Sequence, residues 1–473
     1  MKRNVVLIVL DTVRKDFFDD YATRISEMQD VSFEQCRAAS SWSLPSHASM
    51  FTGDLPHQHR VNISGRDTFA DLEDGEVFLD DLENHTKIGI SANINVSTHT
   101  GFDSYFDEFY ETSYRDLFIE GISTMNFSRE LDERSNVKKK YIMDCLDDDH
   151  TLKSILNGLI FKFDLKAKFR DGLLPDIFDD TAKKVCKKAE KEVQDVDEPY
   201  FLFMNIMDGH SPHRHTIHYD RTIHEVPNNW SSTTKLDQWE INLSNDISAF
   251  ETDLQYYRSL YAASIDYMDR RVSNLINTLQ RNTNRETTVV ITSDHGENLG
   301  FSSDRNLFMH SSSLSEGLLH TPLAIVNAPK GWKKYETRYM SQLELPTLLK
   351  GLSNSETPSV FADTIPAELG GIASRNLENI DKNHHQYWDR AIRCVYNENT
   401  KTLWDSEGNQ IQYQLDPKRP NYQEEIADFN QEYVDSSEFF NISIDTFKEI
   451  INEGEIGDID NATESLLKDL GYM

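Results

Sequence analysis

Asp11, Ser43, Asp294 and His295 are the residues of this sequence whose types could build a reactive centre. Two hard carboxylates and one imidazole suit a divalent cation, and the Ser43 hydroxyl would complete a four-ligand shell with positions open to substrate. A cation there would lower the pKa of the hydroxyl and neutralise charge on a bound sulfate or phosphate. Esters of that kind need the help, because the slowest of them require accelerations of up to ~10²¹. Ser43 lies in SWSLPSHASMFTG, where Pro45 suits the first turn of a helix. The spacing predicts a helix over Pro45–Phe51 with Ser43 just ahead of its N-terminus, among N–H groups that favour an anionic ester or an oxyanion. The alternative for Ser43 is a plain helix cap. His210 and His310 are candidates for protonating a leaving group and for holding the anion. Asp208 either orients His210 or caps a turn, and Thr12 either binds the metal or holds Asp11 in place. Ser46 and His47 would contact the reacting oxygens or continue the helix, and Glu297 reads as a supporting carboxylate.

These residues must be carried by elements that end together. Residues 4–10, apolar from Val5 onward and cut by Asp11, have the pattern of a strand buried on both faces. The pattern returns at 87–91, at 201–206 before Asp208-Gly209-His210, at 287–292 before Asp294-His295-Gly296, and at 322–326. Helical stretches lie between, notably 256–280 with apolar residues at helical spacing. The alternation predicts an α/β fold, a three-layer α/β/α sandwich on a largely parallel sheet. Ligands of such sheets bind beyond the carboxyl ends of the strands, where three of the polar clusters would converge. Residues 110–200 are helical and charged and read as an insertion or lid, with KSILNGLIFKF as an amphipathic patch; 211–255 reads as a surface excursion. The stretch 352–385 reads as a connection. Strands near 391–396, 401–405 and 410–414, the turn Asp416-Pro417 and acidic helices follow. The expected division is 1–375 and 376–473, the second a small C-terminal α+β unit.

With 473 residues, a large core and a smaller one fit. The formal charge of −32, from 80 acidic and 48 basic side chains, excludes nucleic acid as a partner and fits a halophile whose salt screens charges beyond ~3 Å. The apolar share of 38% argues against disorder. Cys36, Cys145, Cys186 and Cys394 show no metal or disulfide spacing. Val5–Leu10 is too short for a signal peptide, and no later run reaches the ~20 residues of a membrane span. The expectation is a cytoplasmic protein without a transmembrane segment.

Five motifs in order, LDTVRKD, SLPSHASMFTGDLPHQH, MNIMDGHSPH, TSDHGENLG with MHSSSLSEGLLHTPL, and the ending LKDLGYM, resemble the sulfatase family of the alkaline-phosphatase superfamily. The likeness, to a haloarchaeal-type sulfatase-like protein, runs over nearly the whole chain. It implies a C-terminal antiparallel sheet and a divalent cation (Ca²⁺, Mg²⁺ or Mn²⁺) held by Asp11, Asp294 and His295 with Thr12 and Ser43. The nucleophile would be Ser43, with His210 and His310 on a sulfate or phosphate ester of a small molecule, glycan or lipid head group. Three departures stand out. Formylglycine at Ser43 would need an arginine where the chain has His47. Thr12 stands where many sulfatases have a second carboxylate. Ser91, Ala92 and Asn93 stand where many carry Lys and His, which makes Asn93 a candidate substrate contact beside Ser46 and His47. Sulfate-ester hydrolysis is the leading expectation. A phosphodiesterase or phosphotransferase using unmodified Ser43 is the second, and a non-catalytic binding protein the third.

Overall fold

The computed structural model describes residues 2–62, 67–112, 116–123, 137–162, 181–197, 199–281, 285–310, 312–372, 377, 380–426 and 439–452. Strand β1 (Asn4–Leu10) lies in the middle of the main sheet, and its apolar run Val5–Leu10 has a direct cause. Val6, Ile8 and Leu10 enter the core on one face, Val5, Leu7 and Val9 the core on the other, because successive side chains point to opposite sides. The helix Glu251–Arg281 packs on the first face through Leu260, Ile265, Met268 and Val272. The helices Ser43–Thr52 and Leu345–Ser353 pack on the second through Ala48, Phe51, Leu348 and Leu352. The result is the expected α/β/α sandwich.

The other strands are β2 (Val31–Arg37), β3 (Thr86–Ser91), β4 (Glu108–Glu111), β5 (Tyr200–Ile206), β6 (Thr287–Thr292), β7 (Leu323–Val326) and β8 (Tyr335–Ser341). They form one eight-stranded sheet in the order β4-β3-β5-β1-β6-β7-β2-β8. Neighbours are parallel except at β7, which runs against both β6 and β2. The carboxyl ends of β1, β2, β3, β5 and β6 therefore lie along one edge, which is what a shared site requires. β2, β4 and β8 were not foreseen. In β2 the sequence VSFEQCR mixes charged and apolar residues, because its Gln35 and Arg37 are buried against polar partners.

A second, antiparallel sheet has the order β13-β12-β11-β10-β9, from β9 (Thr364–Gly370), β10 (Ala391–Asn397), β11 (Thr400–Asp405), β12 (Gln410–Leu415) and β13 (Gln423–Glu425). β9 falls inside the stretch expected as a connection, and Pro366 within it hid the strand signal. Of the charged 110–200 stretch, helices cover Val137–Asp147, Thr151–Lys162 and Ala182–Glu192, while 163–180 and the acidic tail after 452 lie outside the described residues. Among the described residues no helix is long and apolar enough to cross a membrane. None of the four cysteines forms a disulfide, and all four are buried.

A buried ion cluster clamps the two sheets together. Glu316 accepts from Tyr396 Oη at 2.6 Å and Lys401 Nζ at 3.1 Å and lies 3.0 Å from Arg37 Nη2. Burial alone would raise its pKa, but Arg37 and Lys401 outweigh it and hold the carboxyl at about 2. A depressed carboxyl stabilises the fold above its unfolded pKa and loses that contribution as pH falls toward 2. The difference is on the order of 3 kcal/mol. Glu316→Gln should therefore cost several kcal/mol at pH 7, where two buried cations lose their partner, and much less near pH 2. Denaturant unfolding at both pH values checks this, and an equal loss at each would remove the ion cluster as the cause.

Candidate active site

The reactive residues gather at the carboxyl edge of the main sheet, delivered by several of its strands. Asp11 follows β1, Asn93 follows β3, Asp294 and His295 follow β6, and Ser43 opens the helix after β2. That helix runs Ser43–Thr52, two residues earlier than predicted, with Trp42 as its N-cap. Pro45 is its third residue rather than its first, and is tolerated there because first-turn N–H groups have no intrahelical acceptor.

Asp11, Asp294 and His295 offer ligand atoms within 4.8 Å of one another, all buried. Asp11 Oδ2 accepts from Asn93 Nδ2 at 2.6 Å and Asn205 Nδ2 at 3.3 Å, while Asp11 Oδ1 is buried with no hydrogen-bond partner. Burial, and then the nearby Asp294, raises the Asp11 pKa well above the usual range. Asp294 Oδ1 accepts from the N–H of Thr12 at 3.1 Å and of His295 at 2.9 Å. Burial would raise Asp294, but His295 and His47 beside it hold its pKa low. An orphaned carboxylate oxygen beside a second carboxylate and an imidazole is a donor set that fits a hard divalent cation.

His295 Nδ1 lies 2.8 Å from the Gly296 carbonyl, which only accepts, so the proton is on Nδ1 and Nε2 keeps a lone pair. That Nε2 is 3.4 Å from Ser43 Oγ and 3.5 Å from Asp294 Oδ2. His47 uses Nδ1 on the Ser43 carbonyl at 2.8 Å and faces Asn205 Nδ2 with Nε2 at 3.4 Å. The His310 ring stands 4.9 Å from that of His295 and 5.4 Å from that of His210, edge to face with Trp42 at 4.9 Å. Its Nδ1 is 3.1 Å from Glu297 Oε1, while His210 Nδ1 is 2.8 Å from the Ser211 carbonyl. Burial lowers both histidines to about 4 and raises Glu297 to about 7.

The chain thus brings together Asp11, Ser43, His47, Asp294, His295, His210 and His310. Asn93, expected as a substrate contact, instead directs its amide to Asp11 and accepts from Asn95 N at 2.8 Å, so it orients the carboxylate. Ser46, expected on substrate, donates to the Ser40 carbonyl at 2.9 Å. Thr12, expected among the metal ligands, donates its hydroxyl to the Asp11 carbonyl at 2.7 Å, the holding alternative. Its φ of 58° is strained for a β-branched residue, and is fixed by its N–H on Asp294 and by Tyr261 Oη on its carbonyl at 2.6 Å. Asp208 accepts from Thr181 Oγ1 and from the N–H of Ala182, so it caps the Ala182–Glu192 helix, the capping alternative. Asn205 and Trp42 were missed. The only signal for Asn205 was one amide in the apolar run FLFMNI.

The backbone after β5 passes so close to β1 that a Cβ on Gly209 would lie 2.6 Å from the Asp11 carbonyl oxygen. Gly209→Ala should lower the unfolding free energy by about 1–3 kcal/mol in denaturant titration, an overpacking cost. A neutral result would show that this loop yields freely.

The family model described as Sulfatase matches residues 3–354. An "Uncharacterized sulfatase YidJ" of Escherichia coli (strain K12) is 28% identical over 106 residues, 22% of this chain and 20% of that protein. The chain thus matches about a fifth of the length of this curated relative. Among solved structures, the phosphonate monoester hydrolase of Agrobacterium radiobacter superposes with a TM-score of 0.58 at 14% identity, covering 89% of this chain and 90% of that one. BT4656, solved in complex with its substrate D-glucosamine-2-N,6-O-disulfate, gives 0.54 at 13% identity, covering 100% and 98%. At these identities the likeness is one of fold.

Proposed function

The chain belongs to the sulfatase family of the alkaline-phosphatase superfamily, and on that premise we propose that it hydrolyses sulfate esters with Ser43 as nucleophile. Members of this family generally bind a divalent metal ion, and Asp11, Asp294 and His295 would hold one here. When bound, the cation supplies charge neutralisation for the anionic ester and a lower pKa for the Ser43 hydroxyl. The observation that carries the reading is Ser43 Oγ at 3.4 Å from His295 Nε2, at the start of a helix and beside the clustered carboxylates.

Ser43 Oγ gives up its proton to solvent and attacks sulfur opposite the leaving alcohol. A new O–S bond forms as the bond to the alcohol oxygen breaks. The departing oxygen takes a proton from His210 or His310. Both are neutral in the empty pocket, and a bound anion between them raises their basicity, so the proton enters with the substrate. Water then cleaves the ester on Ser43 and restores its hydroxyl.

The second reading, a phosphodiesterase or phosphotransferase, is favoured by His47. This buried imidazole stands where modification of the serine to formylglycine would call for arginine, and a plain hydroxyl suits phosphoryl chemistry. Two measurements separate the readings. The mass of the Ser43 peptide reports formylglycine as a loss of a pair of hydrogens. Parallel assays of aryl sulfate, aryl phosphodiester, phosphonate monoester and a glucosamine disulfate, each with Mg²⁺, Ca²⁺ or Mn²⁺, rank the ester class. No turnover of any ester, with metal binding intact, would leave a binding protein.

The charge of −32 supports a cytoplasmic setting rich in salt. Raising KCl from about 0.1 M to 2 M should raise the Tm, since self-repulsion of the surface is screened within ~3 Å at such strengths. A lower Tm in high salt would refute the halophilic reading.

A further inference from the structure

Between Ile206, the last residue of β5, and Ser232 the chain places His213, His215, His218 and His224 close together in a stretch without helix or strand. A histidine-rich tract is a metal signal only where its rings converge. Two of the four rings are taken up by aromatic packing. His213 stands edge to face with Tyr257 at 4.7 Å and with Tyr261 at 5.7 Å, and His218 stacks on Tyr267 at 5.6 Å. The other two meet each other: the ring centroids of His215 and His224 are 4.9 Å apart, with the planes at 55°.

This pair is buried, His215 at 6% exposure and His224 at 2%. His224 Nδ1, His224 Nε2 and His215 Nδ1 are all buried and hydrogen-bond to no described residue. A neutral imidazole presents one N–H and one lone pair, so His224 buries a donor and an acceptor that the protein itself does not use. Polar atoms orphaned at that depth call for a bound ion or an ordered water. Burial, then His215 and Arg221, lower the His224 pKa to about 4, and burial, then Arg221, lower that of His215. Both rings are therefore neutral at pH 7, and each can give a lone pair to a metal without first losing a proton.

The spacing favours an ion. Two imidazoles bound at ~2.0–2.1 Å to one tetrahedral ion have their centroids about 5 Å apart, which is the separation found here. Of the charges that face the pair, Arg221 opposes a cation, but its Nη1 is committed to the Val226 carbonyl at 2.9 Å, and Asp220 acts on His224 with the opposite sign. The formal charge of −32 favours cations over the surface as a whole.

We propose that His215 and His224 hold a second divalent cation, of the borderline kind that prefers imidazole (Zn²⁺, Ni²⁺ or Cu²⁺), with water completing its shell. Its nitrogen donors differ from the oxygen-rich set of Asp11, Asp294 and His295, so the two sites select different ions. The ion ties together two points of a stretch that lacks secondary structure and that also carries His210.

The test is calorimetric titration of the metal-free full chain with Zn²⁺, joined to anomalous diffraction at the zinc edge from wild-type crystals soaked in Zn²⁺. Asp11→Asn weakens the carboxylate cluster, so zinc that this variant still binds reports another site. One equivalent should persist in Asp11→Asn, and a tenfold excess of Mg²⁺ should not displace it. Adding His224→Phe or His215→Gln to that variant should weaken the equivalent tenfold or more. Phenylalanine keeps a ring in the packing and removes both orphaned nitrogens, and an unchanged Tm in EDTA confirms the fold. The anomalous peak should lie between the two imidazoles, and it decides the matter even if a double variant fails to fold. No zinc equivalent in Asp11→Asn, an unchanged affinity after His224→Phe, or zinc peaks only elsewhere would overturn the proposal and leave ordered water as the partner of these nitrogens. None of these readouts depends on turnover, so they stand whatever ester the protein cleaves.

Discussion

Ser43→Ala is expected to lower kcat on any ester the protein cleaves by about 10⁴–10⁶-fold, the scale on which removing a lone nucleophile acts in serine enzymes. The loss should fall on kcat with little change in KM. The alanine keeps the helix start, and although Asp294 loses the hydrogen bond from the hydroxyl, the cluster and the histidines keep their other partners. His295 Nδ1 remains on Gly296, Asp294 Oδ1 on the Thr12 N–H and Asp11 on the two asparagines. For the same reason the Tm should fall by only a few degrees, since what is lost is one hydrogen bond to Asp294 and a weak contact at 3.4 Å to His295. Steady-state kinetics with a thermal melt on the same preparation decide it. Residual activity within tenfold of the wild type would mean that the attacking oxygen comes from elsewhere.

The site was legible in the sequence wherever chemistry interrupts a hydrophobic run. β1 was delimited residue for residue, because a strand buried on both faces shows as an apolar run, here Val5–Leu10 after Asn4, and Asp11 ends it. β6 was delimited equally well, with Asp294 and His295 two and three residues past its end. What escaped were elements whose burial is polar. Arg37 in β2 and Lys401 in β11 are fully buried only because Glu316 arrives from a distant segment, and no local pattern announces that partner. The roles of Asn93 and Ser46 were unreadable for a related reason. An amide or hydroxyl next to a site can face substrate or backbone, and which it does depends on how the chain folds back, on Asp11 82 residues away for Asn93 and on the Ser40 carbonyl six residues away for Ser46. Asn205 shows the converse, since an amide inside an apolar strand is costly to bury unless something needs it, and here Asp11 and His47 do.

Asp11→Asn should move stability and metal binding in opposite directions. In the metal-free protein Asp11 is fully buried, its Oδ1 has no donor, and Asp294 lies close enough to raise its pKa further. An asparagine can turn its carbonyl oxygen to the donors Asn93 and Asn205 and present its amide to the Asp294 side. That removes a repulsion and leaves no buried charge without a partner. The metal-free variant should therefore melt higher than the metal-free wild type, by an amount on the order of 1 kcal/mol. A divalent cation at about 100 times its Kd adds about 2.7 kcal/mol to the wild type by mass action. The variant has lost one of two carboxylates and should bind at least about 100-fold more weakly, beyond the range seen when only a supporting residue is removed. At that cation concentration its melt should hardly move. Thermal melts with and without cation, with calorimetric titration for Kd, give both quantities. A variant that is less stable without metal, or that gains as much from the cation as the wild type does, would mean that Asp11 is a structural acid and that the cation is held elsewhere.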